Sequence, residues 1–273
     1  MENSANWFSL AGRTAVVTGG SGFLAGAMAE AFLSAGAKVS LWSRSPEKLA
    51  GARERLLARG AGGGEVGMEA ADCGNPAEVE RAFERAASTL GVPSILVNNA
   101  GGNHSRAPLT EQDLPAFRDV LELNLVAGWL IPTQVFARRW IAAGLRGTCV
   151  INVASLTAYK SLPTSWAYSA AKAGVKNLTR GAAKELAPHG IRVNSLSPGF
   201  ILSGQNEALL LESREPFRLS ARGGQVVSRT PMGRLGQADD LKGTMVFLAS
   251  EQAAGFVTGV DIPVDGGFLC DNI

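Results

Sequence analysis

The sequence predicts an α/β fold: a doubly wound, seven-stranded parallel sheet with helices on both faces. Three observations carry this. Short apolar runs alternate with longer amphipathic stretches along the whole of the 273-residue chain. The runs are apolar throughout, as strands covered on both faces are. A glycine-rich turn links the first run to the first amphipathic stretch, as at a strand-to-helix junction.

Taken in order, Thr14 to Thr18 reads as the first strand, and residues 24 to 35 as a helix with Leu24, Met28, Ala31 and Phe32 at helical spacing. Lys38 to Trp42 is the second strand. The next helix opens at Ser45-Pro46-Glu47, with serine as cap and proline at the first helical position. Gly60 to Gly64 reads as a turn and Glu65 to Glu69 as the third strand. Ser94 to Asn98, Cys149 to Val153 and Ile191 to Leu196 are buried strands, and Val260 to Val264 is the last. No repeat, linker or composition break divides the chain, so residues 1–273 are expected to form one domain. The segment Ser203 to Arg229 is long and irregular, with Leu209, Leu210, Leu211 and Phe217 inside it, and such a length between ordered elements marks a lid.

Composition narrows the function classes. Hydrophobic residues make up 46% and charged residues 18%, and the net charge is +2. Lysine and arginine are scattered, so no basic field offers itself to nucleic acid. Three cysteines, odd in number and far apart, form no disulfide framework or metal pair and read as reduced thiols. Two histidines leave no metal site. The start has no basic region followed by an apolar stretch, so no signal peptide is expected, and no apolar run approaches the ~20 residues of a membrane span. The expectation is a cytoplasmic protein without nucleic-acid or membrane partners.

Two regions carry chemistry. Thr18-Gly19-Gly20-Ser21-Gly22-Phe23-Leu24-Ala25-Gly26 lies between the first strand and first helix, where glycines let backbone approach a pyrophosphate and the helix N-terminus offers free N–H groups. Such turns also serve packing alone. The second strand ends at Ser43-Arg44 with no carboxylate to bind the ribose hydroxyls of NAD. Arg44 offers a planar fork to the 2′-phosphate of NADP, the alternative being an arginine turned to solvent. NADP is expected over NAD.

Tyr168 and Lys172 stand four residues apart on one helix face. A phenol titrates near ~10, and a nearby ammonium favours the phenolate, so Tyr168 can exchange a proton with a carbonyl or alcohol oxygen. The spacing alone is more often structural. Ser155, at the end of the Cys149 to Val153 strand, adds a hydroxyl for the substrate oxygen. Asn98-Asn99-Ala100-Gly101 follows the fourth strand, at the strand ends where open parallel sheets bind ligands. Asn124 interrupts an apolar helix, as a functional amide or as a satisfied core asparagine.

Together with Ile191-Arg192-Val193-Asn194, Ser197-Pro198-Gly199 and Val264-Asp265-Gly266-Gly267, these residues make the chain resemble a short-chain dehydrogenase/reductase from Gly12 to Gly267. The resemblance implies a Rossmann fold and a catalytic set of Asn124, Ser155, Tyr168 and Lys172. Tyr168 would be the acid/base, Ser155 would orient the carbonyl, Lys172 would bind the nicotinamide ribose, and Asn124 would hold a relay water at a helix kink. The cofactor would be bound by Thr18, Gly19, Ser21, Phe23 and Leu24, by Ser43 and Arg44, and by Asp72 and Cys73 beside the adenine. Asn99, Ala100 and Gly101 would line the ribose. Pro198, Gly199, Ile201 and Ser203 would flank the nicotinamide, with the Ile201 amide and Ser203 near its carboxamide. One departure stands out: Phe23 and Ala25 occupy positions where the family's loop has glycine.

Asn99-Ala100-Gly101-Gly102-Asn103-His104, Thr230-Pro231-Met232-Gly233-Arg234-Leu235-Gly236 and Ile262 to Phe268 resemble the sugar-acid branch, the mannonate- and gluconate-type oxidoreductases. That implies a keto sugar acid or its alcohol as substrate, with Asn103 and His104 at the mouth of the site, His104 being equally readable as an ordinary loop residue. Arg214, Arg218 and Arg222 recur every four residues and face an acidic substrate or, by preference, water. The alternatives are a 3-oxoacyl-thioester or general ketone reductase with the same residues, and a dinucleotide-sensing protein without catalysis. The resemblance further implies a homotetramer or dimer.

Overall fold

The computed structural model describes residues 7–59, 65–204 and 206–270. The expected turn at Gly60 to Gly64 lies outside them. Seven strands form one sheet: β1 (Thr14–Thr18), β2 (Lys38–Ser43), β3 (Val66–Ala70), β4 (Ile95–Asn98), β5 (Thr148–Val153), β6 (Ile191–Pro198) and, last in the chain, β9 (Asp261–Val264). Their order is β3-β2-β1-β4-β5-β6-β9, and every pairing is parallel. Each expected strand is present with ends shifted by a residue or two. Pro263, which cannot donate to a ladder, sits in β9 at the sheet's edge.

Along each strand successive side chains enter opposite layers. Ala15, Val17, Ile95, Val97 and Ile151 meet Met28 and Phe32 of helix α1 (Phe23–Ser34), Leu49 of α2 (Pro46–Ala58) and Leu248 of α9 (Lys242–Ala249). Val16, Leu96, Val150 and Val193 meet Val79 and Phe83 of α3 (Pro76–Leu90), Phe136 and Trp140 of α5 (Ile131–Ala142), and Ala183 of α6 (Trp166–Leu186). Helix α2 begins as expected, with the Ser45 hydroxyl accepting the Lys48 N–H at 3.2 Å and Pro46 at the first position.

Helix α5 continues without a break from α4 (Leu114–Leu121) through a π-wound stretch, Glu122–Leu130. By length and mean hydropathy Leu114–Ala142 resembles a membrane span, but Arg118, Asp119, Glu122, Arg138 and Arg139 interrupt it, so it holds no apolar run of span length. Here Val120, Val135, Phe136 and Trp140 are buried in the fold instead.

Segment 203–229 is not irregular. It holds α7 (Glu207–Leu210), an antiparallel pair β7 (Leu211–Ser213) and β8 (Arg218–Leu219), and α8 (Ala221–Ser228). Leu210, Leu211, Val226 and Leu235 close a small core of their own, flanked by Phe200, Leu202 and Leu219. Elements of two to eight residues are too short for a periodicity to reveal. Of the three spaced arginines, Arg214 forks onto Glu207 at 2.7 and 2.9 Å, while Arg218 and Arg222 are exposed.

A polar ladder runs through the apolar layers below the carboxyl ends of the strands. Asn98 Nδ2 donates to Thr133 Oγ1 (2.8 Å) and Asn152 Oδ1 (2.9 Å), and Asn152 Nδ2 donates to Thr179 Oγ1 (2.9 Å). All four residues are buried. Replacing Asn98 with alanine strands two acceptors out of reach of water, at a cost of about 1–3 kcal/mol. Urea unfolding of Asn98→Ala should show this loss, and unchanged stability would refute the ladder's contribution.

Candidate active site

The sheet's order reverses between β1 and β4, opening a crevice at the carboxyl ends of both strands. Gly19 turns the chain there with φ +62°, and a Cβ on it would lie 2.9 Å from Ala100 Cα. Only glycine satisfies both the left-handed backbone and the close approach. The turn closes through Gly20 N–H to Trp42 O (2.8 Å) and Gly22 N–H to Gly19 O (2.9 Å). Gly22 brings no side-chain cap to α1, so the helix's first amides, with their partial positive charge, stand free for an anion. Phe23 and Ala25 do not disturb this path: Phe23 is exposed at the helix start, and Ala25 is buried beneath it. Ser21 and Leu24 are half-buried on the same turn.

Thr18 is wholly buried and braces the crevice. Its hydroxyl donates to Val97 O (3.2 Å) and accepts the N–H groups of Asn99 (3.0 Å) and Ala100 (3.1 Å), while Asn99 Nδ2 donates to Thr18 O (3.0 Å). At the end of β2, Ser43 is half-buried and Arg44 exposed, without an ion pair among the described residues. The Arg44 charge reaches Cys73, whose thiol is nevertheless pushed up to about 12, chiefly by burial and further by Asp72. Arg44, Asp72 and Cys73 therefore share one end of the crevice.

The other end is built on α6. Tyr168 and Lys172, four apart, share one helix face, and Ser165 stands just before the helix's first residue. Lys172 is 4% exposed; its ammonium donates to Val153 O (2.8 Å) and lies 5.6 Å from the centre of the Tyr168 ring. Burial pushes its pKa down to about 8. Tyr168 is half-buried, and burial raises its phenol above the ordinary range, opposed by the Ser155 hydroxyl and then by the Arg106 charge. The sequence spacing anticipates Lys172 as the lowering influence; in the fold that ammonium is turned to the Val153 carbonyl, and Ser155 and Arg106 act on the phenol. Ser155 lies two residues beyond β5, is buried, and accepts the Thr157 N–H at 3.1 Å.

Asn124 lies in the π-wound stretch, 1% exposed. Its Nδ2 donates to Gly102 O (2.7 Å) and Val120 O (2.9 Å), and its Oδ1 accepts the Gly102 N–H (3.1 Å). The amide thus ties the loop after β4 to the helix opposite α6. π-turns of this kind concentrate at functional sites. Pro198 ends β6 and Gly199 follows it, and the chain turns through Ile201, whose N–H donates to Gly199 O (3.0 Å), to Ser203, whose N–H donates to Asn206 Oδ1 (2.8 Å). A cavity of about 390 Å³ lined by Phe200, Ile201, Met232, Arg234 and Val264 adjoins this turn, and its lining includes none of the four residues around Tyr168.

At the mouth, Asn103 Nδ2 donates to Ser165 Oγ (3.1 Å), His104 is exposed, and Ser105 is buried. Arg106 completes this stretch. Sequence reasoning passes over it because no spacing links residue 106 to 168; only the folded loop brings its charge to the phenol.

A family model described as enoyl-(acyl carrier protein) reductase matches residues 21–269. The uncharacterized oxidoreductase UxuB of Bacillus subtilis is 37% identical over 275 residues, covering 96% of each chain. Two solved structures superpose closely. One, from Haemophilus influenza and provisionally assigned as a D-mannonate oxidoreductase with bound NAD, is 30% identical with a TM-score of 0.87, covering 99% of each chain. The other, gluconate 5-dehydrogenase from Burkholderia cenocepacia in complex with NADP and tartrate, is 32% identical with a TM-score of 0.87, covering 98% of this chain and 99% of that one.

Burial of Lys172 couples stability to pH. Its folded value of about 8 lies below the ordinary 10.5, so between these two the unfolded chain binds more protons and stability rises with pH. Without added nucleotide, wild type should gain up to about 3 kcal/mol relative to Lys172→Met from pH 8 to 10.5. Urea unfolding across that range measures it, and a pH-independent difference would contradict the burial of the amine.

Proposed function

The chain belongs to the short-chain dehydrogenase/reductase family of oxidoreductases acting on CH–OH groups, and from that premise we propose that it interconverts a keto sugar acid and its alcohol with NADP. One observation carries the reading: Tyr168 and Lys172 share a helix face beside Ser155, at the carboxyl ends of the strands, where an uncapped helix N-terminus and a tight glycine turn leave room for a dinucleotide. The residues fit that group. Gly19, Ser21, Phe23 and Leu24 would hold its pyrophosphate, and Arg44, Asp72 and Cys73 its adenosine end. Asn99 to Gly101 and Lys172 would hold the nicotinamide ribose, and Pro198 to Ser203 the nicotinamide. When bound, the cofactor supplies or accepts the hydride.

The chain's own residues handle the proton. Tyr168 Oη gives it to the carbonyl oxygen as that oxygen gains charge, or takes it from the alcohol in reverse. Ser155 Oγ holds the same oxygen beside the phenol. Lys172, its ammonium bonded to Val153 O and 5.6 Å from the centre of the Tyr168 ring, would bring positive charge near the forming phenolate. Asn124 acts through the loop it anchors, as a positioning residue. Asn103 and His104 would meet substrate hydroxyls at the mouth. The names of the mannonate- and gluconate-type relatives support a sugar acid. Within segment 203–229, Leu210, Leu211 and Val226 are taken up by a small core. We read the chain as one domain with this segment as a lid, working in the cytoplasm as a homotetramer or dimer.

A screen of keto-uronates, keto-gluconates and β-ketoacyl thioesters with NADPH and NADH tests the substrate class; turnover confined to the thioesters would overturn it. Tyr168→Phe should lose turnover by at least about 10³-fold while still quenching or shifting NADPH fluorescence. Retained turnover would remove Tyr168 from its role. Arg44→Ala should reduce the preference for NADPH over NADH by about 10- to 100-fold in kcat/KM, and an unchanged ratio would place the 2′-phosphate elsewhere.

A further inference from the structure

The turn that carries Ser155 closes on itself. Ser155 caps it: its hydroxyl accepts the Thr157 N–H, and its carbonyl accepts the Ala158 N–H at 2.9 Å. Leu156 O accepts the N–H groups of Tyr159 (3.0 Å) and Lys160 (3.2 Å). Ser155 and Tyr159 therefore flank one tight turn, Leu156–Ala158, and what holds one end sets the place of the other. The near end is tied to β6 through the Ala154 N–H, which donates to Leu196 O at 2.8 Å.

The far end is held by the Tyr159 side chain. Although the residue is exposed, its Oη donates to Asp261 Oδ2 at 2.6 Å, and the Lys176 ammonium, one turn beyond Lys172 on α6, lies 3.1 Å from the centre of its ring. Asp261 pairs with Ser195 in the β6–β9 ladder, and its carboxylate also accepts from the buried hydroxyls of Ser195 and Ser197. Ser197 directly precedes Pro198, where the turn toward Ser203 begins. One carboxylate thus joins the turn bearing Ser155 to the strand end on the other side of the cleft. Between Tyr159 and α6, Thr164 takes φ +66°, a backbone that a β-branched residue holds only where its surroundings impose it. Burial, and then the bond to Asp261, keep the Tyr159 phenol above its ordinary range, so it stays a donor through the pH range of an assay.

We propose that Tyr159 and Asp261 are positioning residues for the reaction: their bond sets the place of the Ser155 hydroxyl beside Tyr168. The inference rests on the reading of Tyr168 as the proton-exchanging group, and it holds whichever carbonyl is turned over. Proton transfer passes through neither residue. The Ser155 hydroxyl opposes the upward push of burial on the Tyr168 phenol, so a displaced serine leaves that phenol ionising at higher pH. Lys172 and Arg106, the cations that lie near that phenol or act on it, stay in place when the Tyr159 hydroxyl is removed.

Tyr159→Phe keeps the ring beside Lys176 and removes the hydroxyl alone. Oxidation of the alcohol matching the best carbonyl of the screen, with saturating NADP, is followed as a function of pH. Against wild type, kcat of Tyr159→Phe should fall about 10-fold with KM changed by less than about 2-fold. The limb along which kcat rises with pH should move up by about 0.5–1 pH. Asp261→Asn keeps an acceptor oxygen for Tyr159 and Ser197 and should retain the wild-type limb. A lowered melting temperature with kcat and the limb unchanged would make the tie purely structural and overturn the proposal. A second readout needs no substrate. The chain has two tyrosines, so isotope-labelled tyrosine gives two ring-carbon NMR signals, which Tyr159→Phe and Tyr168→Phe assign. The Tyr168 signal should titrate at higher pH in Tyr159→Phe than in wild type, and an unmoved titration would overturn the proposal. If no carbonyl is reduced while that signal moves, the functional reading fails and the positioning tie stands. If sugar acids are turned over while neither limb nor signal moves, the tie fails and the functional reading stands.

Discussion

Asn124 spends both protons of its amide on main-chain carbonyls, those of Gly102 and Val120, and its oxygen on the Gly102 N–H. A side chain that bonds into its own helix at Val120 displaces the regular ladder, and the helix answers by winding wider from Glu122 to Leu130. Gly128 lets this happen against the neighbouring loop: a Cβ there would lie 2.5 Å from Ala100 O. The backbone of residues 100–102 is thereby clamped between a helix and the crevice. On one side it touches the Gly19 turn, and on the other it runs beside Lys172. Both ends of the cleft take their spacing from this one buried amide.

The electrostatics of the cleft follow from that packing. Lys172 is inserted where water cannot solvate it, and a single carbonyl, Val153 O, is its hydrogen-bond partner. This costs the resting fold stability at neutral pH. The phenol beside it is also held above its ordinary range by burial. The buried ammonium of Lys172 therefore stores unfavourable desolvation that a negative charge brought close to it would offset. Structural charges elsewhere are neutralised in ordinary pairs such as Arg234 with Asp240 and Arg139 with Glu80. The polar ladder from Asn98 to Thr179 serves stability without facing the cleft, and it explains why the first asparagine of the Asn98-Asn99 pair is structural while Asn99 lines the crevice.

The sequence by itself determined the sheet, the helices that cover it, and which residues could do chemistry. Strand runs such as Ala15-Val16-Val17 and the capped start at Ser45-Pro46 are local signals, set by side-chain periodicity and by backbone groups within one turn. Tyr168 and Lys172 were legible because a helix brings residues four apart together. What lay beyond was decided by contacts between distant segments. The π-winding around Asn124 needs Gly102, twenty-two residues away, and the ordered pieces of segment 203–229 are shorter than any periodicity. The turning of Lys172 toward Val153 O, and the pinning of the loop after β4 at Asn124 and Ser165, are made by residues far apart in the sequence. Burial and charge at a site are properties of the neighbours that folding assembles, so only the tertiary structure could set them.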